Sequence, residues 1–168
     1  MRTESHIYQI PELTQFLKEA DFIDIKTIED DISLREFVAG FLSYQPGWVT
    51  FLFYIRQWFV RLLGMKQEDI PQAPQMRPED VPMNPGEPAH IFTVRSTAED
   101  HYWMGEIKDT HLDAAMGVVV EPLAGEAARF YVITIVHYNN WAGPVYFNVI
   151  RPFHHLVVNN MMRAIVRG

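Results

Sequence analysis

Residues 143–166 read GPVYFNVIRPFHHLVVNNMMRAIV, and the period of this stretch decides the fold. Wound at 3.6 residues per turn, Tyr146, Val149, Ile150, Phe153, Leu156, Val157, Asn160, Met161, Ala164 and Ile165 fall on one face. A helix over 144–166 is about 35 Å long, enough to cross a whole sheet. Pro152 lies inside it and withdraws the amide that would bond the Asn148 carbonyl, so a bend is expected there. A helix of this length needs a sheet to pack along.

Upstream the period is two. Residues 91–97, 102–108, 111–121 and 128–138 alternate and are joined by short connections, the pattern of an antiparallel meander. In the third run Leu112, Ala114, Met116, Val118 and Val120 share one face. His111, Asp113, Ala115, Gly117, Val119 and Glu121 share the other, which is expected to be partly wet. Lys108-Asp109-Thr110, and Pro122 with Gly125, carry the turn chemistry.

Leu13, Phe16, Leu17 and Ala20 follow Pro11 at helical spacing, so a short helix opens the chain. Residues 21–28 are β-branched and aromatic and read as a strand. Ser33 and Glu36 form a capping box at the head of a helix whose apolar face is Leu34, Phe37, Val38, Phe41 and Leu42. Pro46 and Gly47 stop it, and a second helix is expected over 48–63, ending at Gly64. Residues 66–90 hold Pro71, Pro74, Pro78, Pro82, Pro85 and Pro88 and read as a linker or lid within one domain over 1–168. This order is the helix-grip plan of the α+β class: a curved antiparallel sheet wrapped around a long C-terminal helix, with two helices after the first strand.

With 168 residues, 48% of them hydrophobic, the chain can bury a real core. Its net charge of −7 and the lack of a Lys/Arg cluster argue against nucleic acid. Zero cysteines exclude disulfides, thiolate nucleophiles and sulfur-bound zinc, and make a cytoplasmic location the simplest expectation. The first ten residues carry Arg2, Glu4 and His6 and no leader-like apolar stretch. No transmembrane segment is expected, because Arg56, Gln57 and Arg61 interrupt the apolar run at 48–65. Those three residues share one stripe of a helical wheel. A helix over 48–63 lying on a membrane surface is therefore an alternative, which requires Trp58 and Phe59 to be exposed.

Several stretches resemble one family. They are Ala20-Asp21-Phe22-Ile23-Asp24; Gln45-Pro46-Gly47-Trp48-Val49 with Ile55-Arg56; Gly105-Glu106; His111-Leu112-Asp113; Asn140-Trp141-Ala142-Gly143 with Tyr146; and Pro152-Phe153-His154. Together they resemble the bacterial DUF2867 proteins, which look like members of the START or Bet v 1-like (SRPBCC) superfamily. The chain departs from the pattern at Ala114, where an aromatic is expected, and at Pro144, where an arginine is. The resemblance implies a pocket between sheet and C-terminal helix and leaves the activity unnamed.

Candidate pocket residues are Phe92, Trp103, Met116, Val118, Tyr131, Tyr146, Ile150 and Phe153, mostly apolar as such pockets are. They would hold a small hydrophobic or amphipathic ligand, though close packing of the same residues as ordinary core is an equal expectation. The alternative is an enzyme of the polyketide cyclase or dehydratase kind, with His137, His154 or the His111/Asp113 pair moving a proton in the pocket. His111 and Asp113 project from one strand face, near Glu106 and Arg95, and equally suit a polar network in which Asp113 orients His111. His154 and His155 point about 100° apart and do not easily share an ion. No HExxH or CxxC spacing, nucleophile elbow, phosphate loop or dinucleotide fingerprint is present, so no metal and no cofactor are expected. A homodimer is compatible with the sequence.

Overall fold

The computed structural model describes residues 7–66 and 69–168. Most of the stretch read for a leader, and residues 67–68 of the proline-rich segment, lie outside the described residues. The elements run α1 (Pro11–Lys18), β1 (Phe22–Asp30), α2 (Leu34–Ser43), α3 (Gly47–Leu62), β2 (Pro88–Ala89), β3 (Phe92–Ala98), β4 (Tyr102–Lys108), β5 (Leu112–Pro122), β6 (Ala128–Tyr138) and α4 (Ala142–Arg167). All strand pairs are antiparallel in one sheet ordered β1-β6-β5-β4-β3-β2. A curved sheet in which the first strand pairs with the last, with α2 and α3 after β1 and a long C-terminal helix, is the helix-grip arrangement. β2, absent from the sequence reading, is a two-residue edge strand, where Pro88 has no central ladder to break.

Ser33 caps α2 as its sequence demands: the Glu36 amide donates to Ser33 Oγ (3.2 Å) and the Ser33 amide to Glu36 Oε2 (2.7 Å). The inner face of the sheet carries Val94, Trp103, Met116, Val118, Phe130 and Val132 under α2 and the far half of α4. Leu112 and Val136 continue that face under α3 and the near half of α4.

Two sequence expectations are corrected. The outer face, expected partly wet, is dry over its centre. Ile7, Leu13, Phe16 and Leu17 lie across Ala115, Val119, Tyr131, Ile133 and Ile135, and Leu13 packs over Gly117, where a Cβ would stand 3.4 Å from its Cδ1. In α4 the buried stripe is Tyr146, Phe147, Val158, Met161 and Met162, while Val149, Phe153 and Leu156 are exposed. The helix carries two apolar stripes, and only the sheet's position selects one of them.

The proline-rich segment is strapped to the body. Gln45 Nε2 donates to the Pro71 carbonyl (2.8 Å), Ser43 Oγ accepts from the Met76 amide (2.9 Å), and Trp103 Nε1 donates to the Pro82 carbonyl (2.9 Å). Arg35 reaches the Pro78 and Val81 carbonyls while forming a two-point pair with Glu99 (2.6 and 2.8 Å). Outside a regular ladder the carbonyls of Pro71, Pro78 and Pro82 are met by side chains of α2, of the loop that follows it and of the sheet.

Candidate functional site

The inward face of β1 reads Phe22, Asp24, Lys26, Ile28, with two charges at its middle where alternation calls for apolar residues. Register aligns Asp24 with Thr134, Thr134 with Met116, and Met116 with Gly105, one line across four strands. Gly105 is required on that line, since a Cβ there would meet Trp103 Cη2 at 2.5 Å and Phe92 Cβ at 2.9 Å.

His154 and His155 descend on this line from α4. Thr134 Oγ1 lies 3.1 Å from His154 Nε2 and 3.1 Å from Met116 Sδ. Lys26 Nζ is 2.9 Å from Asp24 Oδ2 and 3.2 Å from His155 Nδ1, and His155 Nδ1 is 3.4 Å from the same carboxylate. Burial pushes His154 down to about 4, helped by its neighbours His155 and Lys26 and opposed by Asp24. The imidazole is thus neutral near physiological pH. The row joins a formally neutral Asp–Lys pair to a neutral histidine and a hydroxyl, and it separates the two inner apolar clusters. Its edge at β1 reaches solvent: the side chains of Asp24 and Lys26 are 18% and 17% exposed and that of His155 is 36% exposed.

At the seam between α3 and α4, Arg56 Nε donates to the Tyr146 hydroxyl, its guanidinium sits 5.5 Å from the Tyr146 ring centroid, and Phe59 stacks on the same ring at 6.5 Å. Asp24, Arg56, Tyr146 and His154, drawn from four stretches of the family resemblance, thus lie between the sheet and its covering helices.

His111, Asp113 and His137 lie elsewhere. Asp113 accepts from Asn139 Nδ2 (3.0 Å), whereas His111 Nδ1 faces the Asn140 amide (3.0 Å), so Asp113 does not orient His111. Asn140 Oδ1 also receives the Ala142 amide, and Gly143 packs so closely that a Cβ would stand 2.5 Å from the His111 carbonyl. These contacts tie the start of α4 to β5, a structural duty for two of the resembling stretches. His137 Nδ1 meets the Glu19 carbonyl at 2.6 Å on the outer side. There a cleft of about 480 Å³ beside α1 is lined by His137, Asp113, Arg95, Glu106, Lys108 and Phe16, among others. Glu106 lies between two cations, 3.8 Å from Arg95 and 3.6 Å from Lys108.

Of the proposed pocket residues, Phe92, Trp103, Met116 and Val118 are packed in the core under α2 and α4, and Tyr146 and Ile150 lie at the α3–α4 seam. Tyr131 is corrected to the outer face, where its hydroxyl meets Glu121, because odd positions of β6 point away from α4. Phe153 is corrected to the solvent side of α4. Asp24, Lys26 and Thr134 were not singled out from the sequence. The signal for Asp24 and Lys26 was the break in binary pattern along β1, whereas Thr134, on β6, gave none. Among the described residues no group of three His, Asp or Glu is placed to hold a metal.

No curated protein matches the chain. Among solved structures it is similar to norcoclaurine synthase from Thalictrum flavum in complex with dopamine and hydroxybenzaldehyde, with TM-score 0.42, 13% identity and 86% of each chain covered. It is also similar to a point mutant of that synthase with a transition-state analogue (TM-score 0.41, 13% identity, 86% of this chain and 93% of that one). A truncated form gives TM-score 0.40 at 13% identity, covering 84% of this chain and 90% of that one. Residues 16–161 match the family described as a protein of unknown function, and the chain belongs to that family, DUF2867.

Proposed function

We propose that this protein is a binding module that holds a small amphipathic molecule between the sheet and α4. The observation that supports this reading is the row of Asp24, Lys26, Thr134, His154 and His155 set in an otherwise apolar interface. A partly buried ion pair adds little to stability compared with well-packed apolar residues of similar volume, so folding alone gives no reason for it. Because Asp24 and Lys26 already answer one another's charge, the row suits a hydroxyl or amide head group better than an ion, which would leave a charge uncompensated. The apolar part of the molecule would lie toward Phe22 and Phe147, whose ring centroids are 4.8 Å apart. Entry is at the β1 edge.

Decanol is a suitable probe. Native mass spectrometry of the purified chain with decanol is expected to give one added molecule that disappears on denaturation. The paired change Asp24→Leu and Lys26→Met removes both charges together and is expected to weaken binding by roughly tenfold, the worth of one charge-assisted hydrogen bond. A bare chain at every decanol concentration overturns the reading.

The polyketide cyclase- or dehydratase-like alternative needs a histidine on this interface, and His154 supplies one. With a pKa of about 4 it is a weak base near neutral pH. It is therefore better suited to orienting a hydroxyl than to removing a proton.

A further inference from the structure

The outer side of α3 is apolar and uncovered: Trp58 is 67% exposed, Leu62 68%, Phe51 62% and Tyr54 60%, with Ile55 beside them. Of the two residues that the membrane-surface reading expects to be exposed, Trp58 is, whereas Phe59 is corrected to partly exposed because it stacks on Tyr146, and Phe51, Tyr54 and Leu62 extend the exposed face instead. Along the neighbouring helix Val145, Val149 and Leu156 are exposed as well, and Trp141 precedes them at 77%. Exposed apolar side chains gathered in this way on one helix mark an interaction surface.

Charge indicates what covers it. The sequences of α3 and α4 contain Arg56, Arg61, Arg151, Arg163 and Arg167 and no Asp or Glu, while all 21 acidic residues lie elsewhere. Arg56 is engaged by Tyr146, and the other four are exposed. A two-fold pairing of this face with a second copy would bring arginines against arginines with no carboxylate on either helix to answer them. Tryptophan and tyrosine with arginine at the margins are instead the side chains that settle at the boundary between lipid head groups and acyl chains. The acidic remainder of the chain is repelled from an anionic surface, which orients the molecule with α3 downward.

We propose that the α3–α4 face docks on an anionic lipid bilayer, with Phe51, Tyr54, Trp58 and Leu62 entering the head-group region and the exposed arginines meeting lipid anions. The test is flotation of the full chain with vesicles of phosphatidylcholine alone and of phosphatidylcholine mixed with phosphatidylserine, at low and high salt, alongside light scattering. The chain is expected to float with the mixed vesicles and to be released by salt. The double variant Phe51→Asp/Trp58→Asp is expected to bind at least about tenfold more weakly while keeping the wild-type circular dichroism, since both side chains already face solvent. Arg61→Glu should lower binding to the mixed vesicles alone. Equal flotation with both compositions, or none, overturns the proposal. So does a dimer dissociated by Trp58→Asp while the vesicles stay bare, which assigns the face to a second copy.

Discussion

Helices α2 and α3 follow one another with three residues between them, yet they treat their apolar side chains in opposite ways. In α2, Leu34, Phe37, Val38, Ala39 and Leu42 are all buried against sheet and α4. In α3 only Val49 and Val60 are buried, while Phe51, Tyr54 and Trp58 face solvent. The first helix has one apolar stripe and one surface to lay it on. The second is apolar nearly all round but has neighbours on one side only, so half of its apolar surface stays exposed. The lesson is that apolar content does not measure burial. The number of stripes and the number of available partners do.

The largest expected break in this contrast is Phe37→Ala. Phe37 stacks on Phe130 with centroids 4.6 Å apart and planes 8° from parallel, and it is fully buried. Its truncation should cost about 3–5 kcal/mol, read from the urea midpoint at unchanged slope. A loss no larger than that of an exposed position would mean that α2 is not a core helix.

α4 combines both behaviours, and His154 on its buried stripe makes stability depend on pH. Its folded pKa of about 4 lies below the ordinary 6.5, so between these values the unfolded chain binds more protons and stability rises with pH. The contribution is fully present above pH 6.5 and lost as pH falls to about 4, roughly 3 kcal/mol in all. His154→Gln should therefore lose less stability over that window than the wild type, and identical pH profiles would contradict the burial of this ring.

Smaller effects sharpen the comparison further. Ser33→Ala removes the hydroxyl half of the capping box and should cost about 1 kcal/mol in a denaturant titration, because α2 is held at its head by its own sequence. Trp58→Ala, despite removing the largest side-chain type, should change stability by less than about 0.5 kcal/mol, because the ring is largely exposed. A loss of several kcal/mol in thermal unfolding would place Trp58 in a core contact and remove the α3 side of the contrast.

The strands were legible because alternation is local. β4 and β6 occupy the same residues that their period-two pattern marks, 102–108 and 128–138, and β5 differs by one residue at each end. The candidate site was legible only in part. His154 was named as a candidate, but its partner Thr134 is ordinary in a strand, and the Asp24–Lys26 pair was passed over, its one trace being a break in the pattern of β1. Lys26 and His155 are 129 positions apart, and no local period links them.

By itself, then, the sequence determined the order and kind of the elements other than the two-residue β2, the cap of α2 and the stops at Pro46 and Gly64. Each of these depends on hydrogen bonds and side-chain spacing within a few residues. Only the tertiary structure decided which of two apolar stripes on α4 is buried, that α1 dries the outer face of the sheet, and that a polar row meets beneath the grip helix. Those outcomes depend on which surfaces the folded chain brings together over long sequence separations. Residues on a helix or strand carry the same local pattern whichever face is covered.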